Sequence, residues 1–356
     1  MVLTKKPEPP RVLVVGNHCH DVLFHQNGAV KAESLGGAAS FISAVLQGLS
    51  VPFHLVSFVG SDFRYSEATS SHPPSVSPSA PTTLFHAVFP AGGERLLTRV
   101  AACDPIRPED LPEGFGRFEL GMAVAVAGEI LPETLERMLD LCDVVLADVQ
   151  ALIREFRPGD GLVRLVAARE TAFCRLLPRL GVVKASSEEA GFLEVEGIRS
   201  GGCCVVVTEG KEGCRVLWGE AGVVAPFPAC QVDPTGAGDS FLGGFVAGLV
   251  HGLCVPDAAL VGNLFGSLAV EHIGLPSFDP SFFQRVKEEV QKRRIQYRQC
   301  EGCDGMLNFL KLAGHEQFHS SLMAARLLSH SSVEDCKHDQ PDSPADIENG
   351  TIPHLT

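Results

Sequence analysis

At 356 residues the chain is long enough for one large or two modest domains, and 45% hydrophobic with 20% charged residues is a globular composition, not a disordered one. A formal charge of −14 disfavours unspecific binding to nucleic acid or an anionic membrane, so any phosphate site must use a few local cations, backbone N–H groups or metal. No apolar segment follows Met1, no run of about 18 apolar residues occurs, and Cys142, Cys174, Cys203, Cys204 and Cys254 sit in apolar runs, which together predict a cytoplasmic protein with reduced thiols.

Residues 1–10 form a polar, Pro-containing lead. The run 11–15 ends at Gly16 and predicts a buried parallel strand. Asp21 follows shortly after, where open α/β sheets bind ligands. Its carboxylate could accept hydrogen bonds from two substrate hydroxyls, with Asn17 nearby, or it could simply cap a turn. His18 and His20 have no third metal ligand close in sequence. Gly36-Gly37 opens an apolar helix through 49, and the pair permits either a close ligand approach or a tight turn.

Residues 53–60 predict a second buried strand, and the Ser/Pro/Thr-rich stretch 66–83 a flexible loop. Strands over 84–89 and 94–100, joined by Ala91-Gly92-Gly93, read as a hairpin. With 22–33 they would make a small sheet apart from the main one. From 121 the pattern alternates: strand 122–127, helix 131–141, strand 144–147, a helix within 161–177, strand 182–184, helix 186–196, and strands 203–208 and 214–217. Such alternation predicts a parallel sheet with helices on both faces. Ser186 and Glu189 have capping-box spacing.

The richest stretch is 232–252, Val-Asp-Pro-Thr-Gly-Ala-Gly-Asp-Ser-Phe and onward. Apolar residues from Phe241 to Val250 recur at helical spacing, and Gly236-Ala237-Gly238 stands where that helix begins. First-turn N–H groups lack intrahelical partners and face the positive end of the dipole, so Gly236, Ala237 and Gly238 form a candidate anion hole. Asp239 can be a favourable first-turn charge, or the base that deprotonates a hydroxyl attacking a phosphoryl group. The latter is small-molecule kinase chemistry. No Walker A pattern is present.

Helices are expected over 257–273, containing Asn263, and over 282–297, which closes a domain spanning 11–298. Residues 299–356 read as a tail, disordered beyond 330. Cys300, Cys303, His315 and His319 come within one residue of a zinc-finger spacing, but no second copy supports a zinc site.

Asp-Pro-Thr-Gly-Ala-Gly-Asp-Ser-Phe at 233–241 closely resembles the C-terminal signature of the phosphofructokinase-B (pfkB)/ribokinase family of sugar kinases. Gly36-Gly37 resembles the family's first signature, although Phe41 stands where many members carry Asn. The resemblance implies a ribokinase-like three-layer α/β sandwich with a mostly parallel central sheet and a small β-sheet lid, from about 22–33 and 84–100. It implies ATP and Mg²⁺, and opens the question of a monovalent cation near Asp233. Asp21 matches the family's sugar-binding Asp. Ser186 and Glu189 match its Asn-x-x-Glu motif, whose Glu orders Mg²⁺ through water. Thr208 and Gly210 match the Thr-x-Gly segment that meets the nucleotide, and Asn263 lies on a helix that often faces the adenine. Within the family, the strings at 35–43, 128–135 and 231–244 resemble plant myo-inositol kinases. That implies phosphorylation of myo-inositol at the 3-hydroxyl, feeding phytate synthesis, by a monomer or a homodimer paired through the lid. Another sugar or nucleoside acceptor, or a kinase fold kept as a non-catalytic binding subunit, are the rival readings.

Overall fold

The computed structural model describes residues 9–25, 27–88, 96–218, 220–297 and 307–330. An eight-stranded sheet forms the centre. Its strands run, edge to edge, Glu220–Val224, Cys214–Trp218, Cys204–Thr208, Val182–Ser186, Cys142–Asp148, Phe118–Ala123, Val12–Val15 and Phe53–Val56. The six from Cys204–Thr208 onward are parallel; the other two return antiparallel at one edge.

Alternate side chains of each strand enter opposite cores, as a period of two requires. Val12, Val14, Leu120, Met122 and Val182 face helices Ala38–Gly48, Ala237–Val250 and Val255–Ala269. Leu13, Val15, Val145, Val183 and Val205 face helix Pro132–Leu141 on the other side. Each such side chain, fully buried, contributes about 1.5–3 kcal/mol. The result is the expected three-layer α/β arrangement.

A separate four-stranded sheet, in the order Val30–Gly36, Cys19–Phe24, Thr83–Val88 and Leu96–Ala101, is the expected small sheet. The turn proposed at 91–93 lies outside the described residues. A hairpin, Arg154–Phe156 with Val163–Leu165, docks onto this sheet's edge: the Arg99 amide donates to the Gly161 carbonyl at 2.9 Å.

Four local expectations need correction. The stretch 161–177 forms the second strand of that hairpin and 3₁₀ turns, because Val163 and Leu165 face the interior cleft and not a helix partner. Over 186–196 a 3₁₀ turn, Glu189–Phe192, precedes a short helix, Val195–Ser200. The strand expected at 122–127 ends at Ala123, since the Val126 and Ala127 amides donate to the buried Glu129 carboxylate and not to a ladder. The Ser/Pro/Thr-rich stretch 66–83 is pinned: Ser75–Val76 pairs with Phe58–Val59, and the Thr82 hydroxyl donates to Asp62 at 2.8 Å.

Within the expected tail, residues 307–330 belong to the packed body, while the rest of it, including the stretch beyond 330 expected to be disordered, lies outside the described residues. Helix His315–His330 buries Phe318 and Leu322 in the main core. His315 Nδ1 donates to Asp257, and His319 Nε2 to the Pro226 carbonyl at 2.9 Å. Both imidazoles thus serve the fold, and no cluster of three metal-ligating side chains occurs among the described residues. Cys300 and Cys303 lie outside them. No described helix is long and apolar enough to cross a membrane. Of the described cysteines most are buried, but Cys174, assigned above to an apolar run, is exposed.

Candidate active site

A cleft of about 570 Å³ lies between the small sheet and the C-terminal ends of the parallel strands. Asp21 reaches it from the small sheet; Ser186, Glu189, Thr208 and Gly210 come from the ends of two central strands; Gly37, Gly236, Gly238 and Asp239 come from two helix starts. Residues far apart in sequence therefore converge where open sheets expose their strand ends.

The helix start is built for close approach. Gly236 is the N-cap of Ala237–Val250 with φ +78°, and the Phe41 ring lies where a Cβ would stand. Among the described residues, the N–H groups of Gly236, Gly238 and Asp239 have no backbone acceptor, whereas the Ala237 amide donates to the Pro234 carbonyl at 3.3 Å. The unspent donors, plus the positive end of a 14-residue helix, suit an anion. The N–H groups free to meet an anion here are those of Gly236, Gly238 and Asp239; Ala237, expected to share in the candidate anion hole, spends its N–H on the turn. The other end of this helix closes in a Schellman arrangement, the Leu253 amide donating to the Gly248 carbonyl at 3.0 Å and that of Gly252 to Leu249 at 2.8 Å.

Beneath the cradle lies Lys184, buried in the strand Val182–Ser186. Its Nζ sits 3.0 Å from Asp148 Oδ2 and 2.6 Å from where a Cβ on Gly238 would be. Three carboxylates share this cation: Asp148, Glu189 and Asp239. Burial alone would lower the Lys184 ammonium, but these neighbours hold it above its ordinary value. Burial raises Asp148, against the pull of Lys184. Burial also raises Asp239, opposed by Lys184 and Arg154; Gln150 Nε2 donates to Asp239 Oδ1 at 3.3 Å. For Glu189 burial is again the largest influence and upward, yet Lys184 and Arg154 outweigh it and the carboxyl lies below its usual range. Asp239 is thus shifted up and Glu189 down, so two carboxylates in one cleft are pushed apart by their surroundings.

Glu189 also completes a true capping box: the Ser186 amide donates to Glu189 Oε2 at 2.9 Å, and the Glu189 amide to Ser186 Oγ at 3.2 Å. Asp21 packs against Gly36, where a Cβ would collide with its carboxylate, so that Gly-Gly pair is shaped partly by Asp21.

Four expected site residues do not line the cleft: Ala237, Asn17, Asn263 and Gly36, the last of which packs against Asp21. Asn17 is buried, its Oδ1 accepting from the Phe58 amide at 2.7 Å and its Nδ2 donating to the Asp104 carbonyl at 3.4 Å. Asn263 donates to the Val224 and Ala225 carbonyls at 3.2 and 2.8 Å, tying its helix to the edge strand. Both satisfy backbone groups, as buried amides must. Conversely, Lys184, Asp148, Gln150 and Arg154 escaped the sequence reading. A signal existed: Lys in Val-Val-Lys-Ala-Ser and Asp ending Val-Val-Leu-Ala-Asp are charges in otherwise buried strands, which need partners.

Residues 171–281 match the profile described as pfkB family carbohydrate kinase. The chain is 56% identical over 323 residues to the inositol 3-kinase of Arabidopsis thaliana, covering 89% of this chain and 87% of that protein. To the inositol 3-kinase of Oryza sativa subsp. japonica it is 50% identical over 357 residues, covering 96% and 86%. Among solved structures, a pyrophosphate-dependent kinase in the ribokinase family, complexed with a pyrophosphate analog and myo-inositol, superposes with a TM-score of 0.60 at 19% identity, covering 74% of this chain and 96% of that one. Identity at that level across most of both proteins, on a ribokinase-like fold, makes this chain a small-molecule kinase of the pfkB carbohydrate kinase family.

Proposed function

We propose that the chain transfers the γ-phosphoryl group of ATP to the 3-hydroxyl of myo-inositol. The observation that carries this reading is the placement of Asp239 at the mouth of an anion cradle, in the same cleft as Asp21. The acceptor is taken from the inositol 3-kinases to which the chain is half or more identical. An uncharged cyclic polyol needs hydroxyl partners and an apolar wall, which Asp21 with Leu23, Phe85 and Leu97 supply in this cleft.

In this mechanism Asp21 accepts hydrogen bonds from acceptor hydroxyls and turns the ring so that one hydroxyl faces Asp239. Asp239 takes that hydroxyl's proton as the oxygen attacks, a role typically contributing about 10²–10⁴ in rate. The Gly236, Gly238 and Asp239 amides stabilise the moving phosphoryl group, and Lys184 and Arg154 balance its charge. Thr208, Gly210 and Ser186 line the donor side of the cleft. The small sheet covers the acceptor and excludes water, which would otherwise compete for the phosphoryl group.

A divalent ion fits the donor set: Glu189 is an ionised carboxylate facing the cleft, and Mg²⁺ is usually held by one or two carboxylates, waters and substrate phosphates. Bound there through water, Mg²⁺ would neutralise charge on the donor phosphates. Asp233 has a buried Oδ2 with no partner while its Oδ1 accepts from Thr235, which suits a monovalent cation beside the cradle loop.

We place the enzyme in the cytoplasm, its product feeding phytate synthesis. It acts as a monomer or as a homodimer through the small sheet, where Val30, Leu96 and Val100 are exposed. The test is ATP consumption with Mg²⁺ against myo-inositol, fructose, ribose and adenosine, with the phosphorylated position read by NMR. Turnover on a sugar or nucleoside in place of myo-inositol overturns the acceptor. ATP binding without turnover on any of them favours the non-catalytic rival.

A further inference from the structure

The stretch 225–235 runs without regular structure from the edge strand Glu220–Val224 into the Gly236 cradle. A flexible approach would leave the anion-binding amides poorly placed, and preorganisation of such donors is what makes them effective. The structure shows what holds it. The Val232 and Asp233 amides donate to the Val270 carbonyl at 2.7 and 3.0 Å, and the Cys230 amide donates to Glu271 Oε1 at 3.1 Å. Glu271 is itself held by the C-terminal helix: Arg326 Nη2 donates to the same Oε1 at 2.8 Å, and Arg326 Nη1 to the Ser267 hydroxyl. One turn pair earlier, His319 Nε2 donates to the Pro226 carbonyl, and its ring lies 4.6 Å from that of Phe227.

We propose that helix His315–His330 is a clasp that positions the donor-phosphate cradle, with Arg326 as the positioning residue acting through Glu271. The helix reaches the cradle loop at its start, Pro226–Phe227, and, by way of Glu271, at its middle, Cys230. None of its residues lines the cleft, so its influence on the reaction passes through the loop. The helix is in turn anchored at its start. His315, Tyr297 and Arg293 all donate to the buried Asp257 carboxylate, Arg293 Nε at 2.6 Å, and Arg293 Nη1 also donates to the Ala313 carbonyl at 2.8 Å. Asp257 opens the helix Val255–Ala269 that ends next to Val270 and Glu271. The clasp therefore joins both ends of one helix to the loop that presents the anion site.

The consequence is selective. A cradle moved by loss of the clasp weakens the phosphate donor, whereas the acceptor is held by Asp21 on the far sheet. The inference rests on the ATP-and-polyol reading for its kinetic arm, and a second arm is independent of it. The experiment uses the full chain as wild type, Arg326→Ala, Arg326→Lys and Glu271→Gln. In Arg326→Ala, KM for ATP should rise about tenfold, the effect of losing one hydrogen bond to a charged group, with KM for myo-inositol unchanged. Arg326→Lys should restore most of that loss. Hydrogen–deuterium exchange without any ligand should quicken in peptides spanning 226–238 and stay at wild-type rates in the small sheet. Glu271→Gln, which keeps shape and packing, should reproduce a weaker form of both effects if Arg326→Ala folds poorly. Unchanged exchange at 226–238 in a folded variant overturns the clasp whatever the acceptor proves to be. So does a loss spread equally over both substrates that lysine does not restore. Failure of myo-inositol as acceptor, with exchange altered as described, overturns only the acceptor.

Discussion

Lys184 Nζ lies 3.0 Å from Asp148 Oδ2 and directly beneath Gly238, so a single buried cation both neutralises a strand-end carboxylate and underpins the anion cradle. Removing it strands three carboxylates around one site. Lys184→Met should cost on the order of 3–5 kcal/mol of stability, the range for breaking a buried pair, and lower kcat by about 10²-fold or more. Asp148→Asn/Lys184→Met should recover part of the stability without recovering kcat, because the carboxylate paired with Lys184 is gone while Glu189 and Asp239 remain and the cation is not restored. Thermal unfolding and steady-state kinetics on the same preparations check it. Recovery of both would mean that Lys184 is purely structural.

Asp239 supplies a pH signature. As the proposed base it must be ionised to accept a proton, and burial raises its carboxyl above the usual range. Activity should therefore fall as pH drops through that raised value, placing the acid limb of kcat/KM above where an exposed Asp would put it. Lys184 and Arg154 pull the other way, so Arg154→Met should shift the limb to higher pH. Asp148 and Glu189 share the same cation, and the limb reports the group collectively. Asp239→Asn should lose about 10²–10⁴ in kcat while ATP affinity and melting temperature hold. A limb in the ordinary carboxylate range, unmoved by Arg154→Met, would count against Asp239 as the base.

In the proposed mechanism Asp21 serves the acceptor and not the donor. Asp21→Asn keeps its size against Gly36 yet weakens its hydrogen bonds to hydroxyls. KM for the polyol should rise roughly tenfold or more, with ATP affinity unaffected. Calorimetric titration with ATP and acceptor-dependent kinetics distinguish the two. An equal loss for both ligands would move Asp21 out of the acceptor subsite.

What was legible in the sequence divides along physical lines. The parallel sheet, the helix at 237–250 and the small sheet announce themselves through local periodicity and turn residues, and the kinase family through the contiguous string at 233–241. Long-range electrostatics do not. Lys184 and Asp148 are 36 residues apart and meet only because their strands are neighbours. Asn17 and Asn263 looked like ligand contacts because a lone amide shows no sign, in sequence, of which backbone carbonyls will occupy it. The helix at 315–330 was missed as part of the core since His, Ser and Glu dilute its apolar face, and its anchor, Asp257, is 58 residues away.

Phe41 occupies the position where many family members carry Asn, and the structure gives it a packing role: its ring covers the α-carbon of Gly236 while one edge lines the cleft. Two separate constraints then forbid a side chain at 236, the positive φ of +78° and the ring itself. Gly236→Ala should combine about 1–3 kcal/mol of backbone strain with a collision, displacing the cradle and raising KM for ATP. Phe41→Ala alone should cost about 3–5 kcal/mol as a cavity in a well-packed wall. The double variant removes the collision and fills part of the cavity, so its loss of stability should be smaller than the sum of the two, with a coupling of about 0.5–3 kcal/mol. The φ strain persists in it, and ATP affinity should remain below wild type. Chemical denaturation of the four proteins closes the cycle. Strict additivity would show that the ring yields to a methyl group at 236, leaving backbone conformation as the sole reason for glycine there.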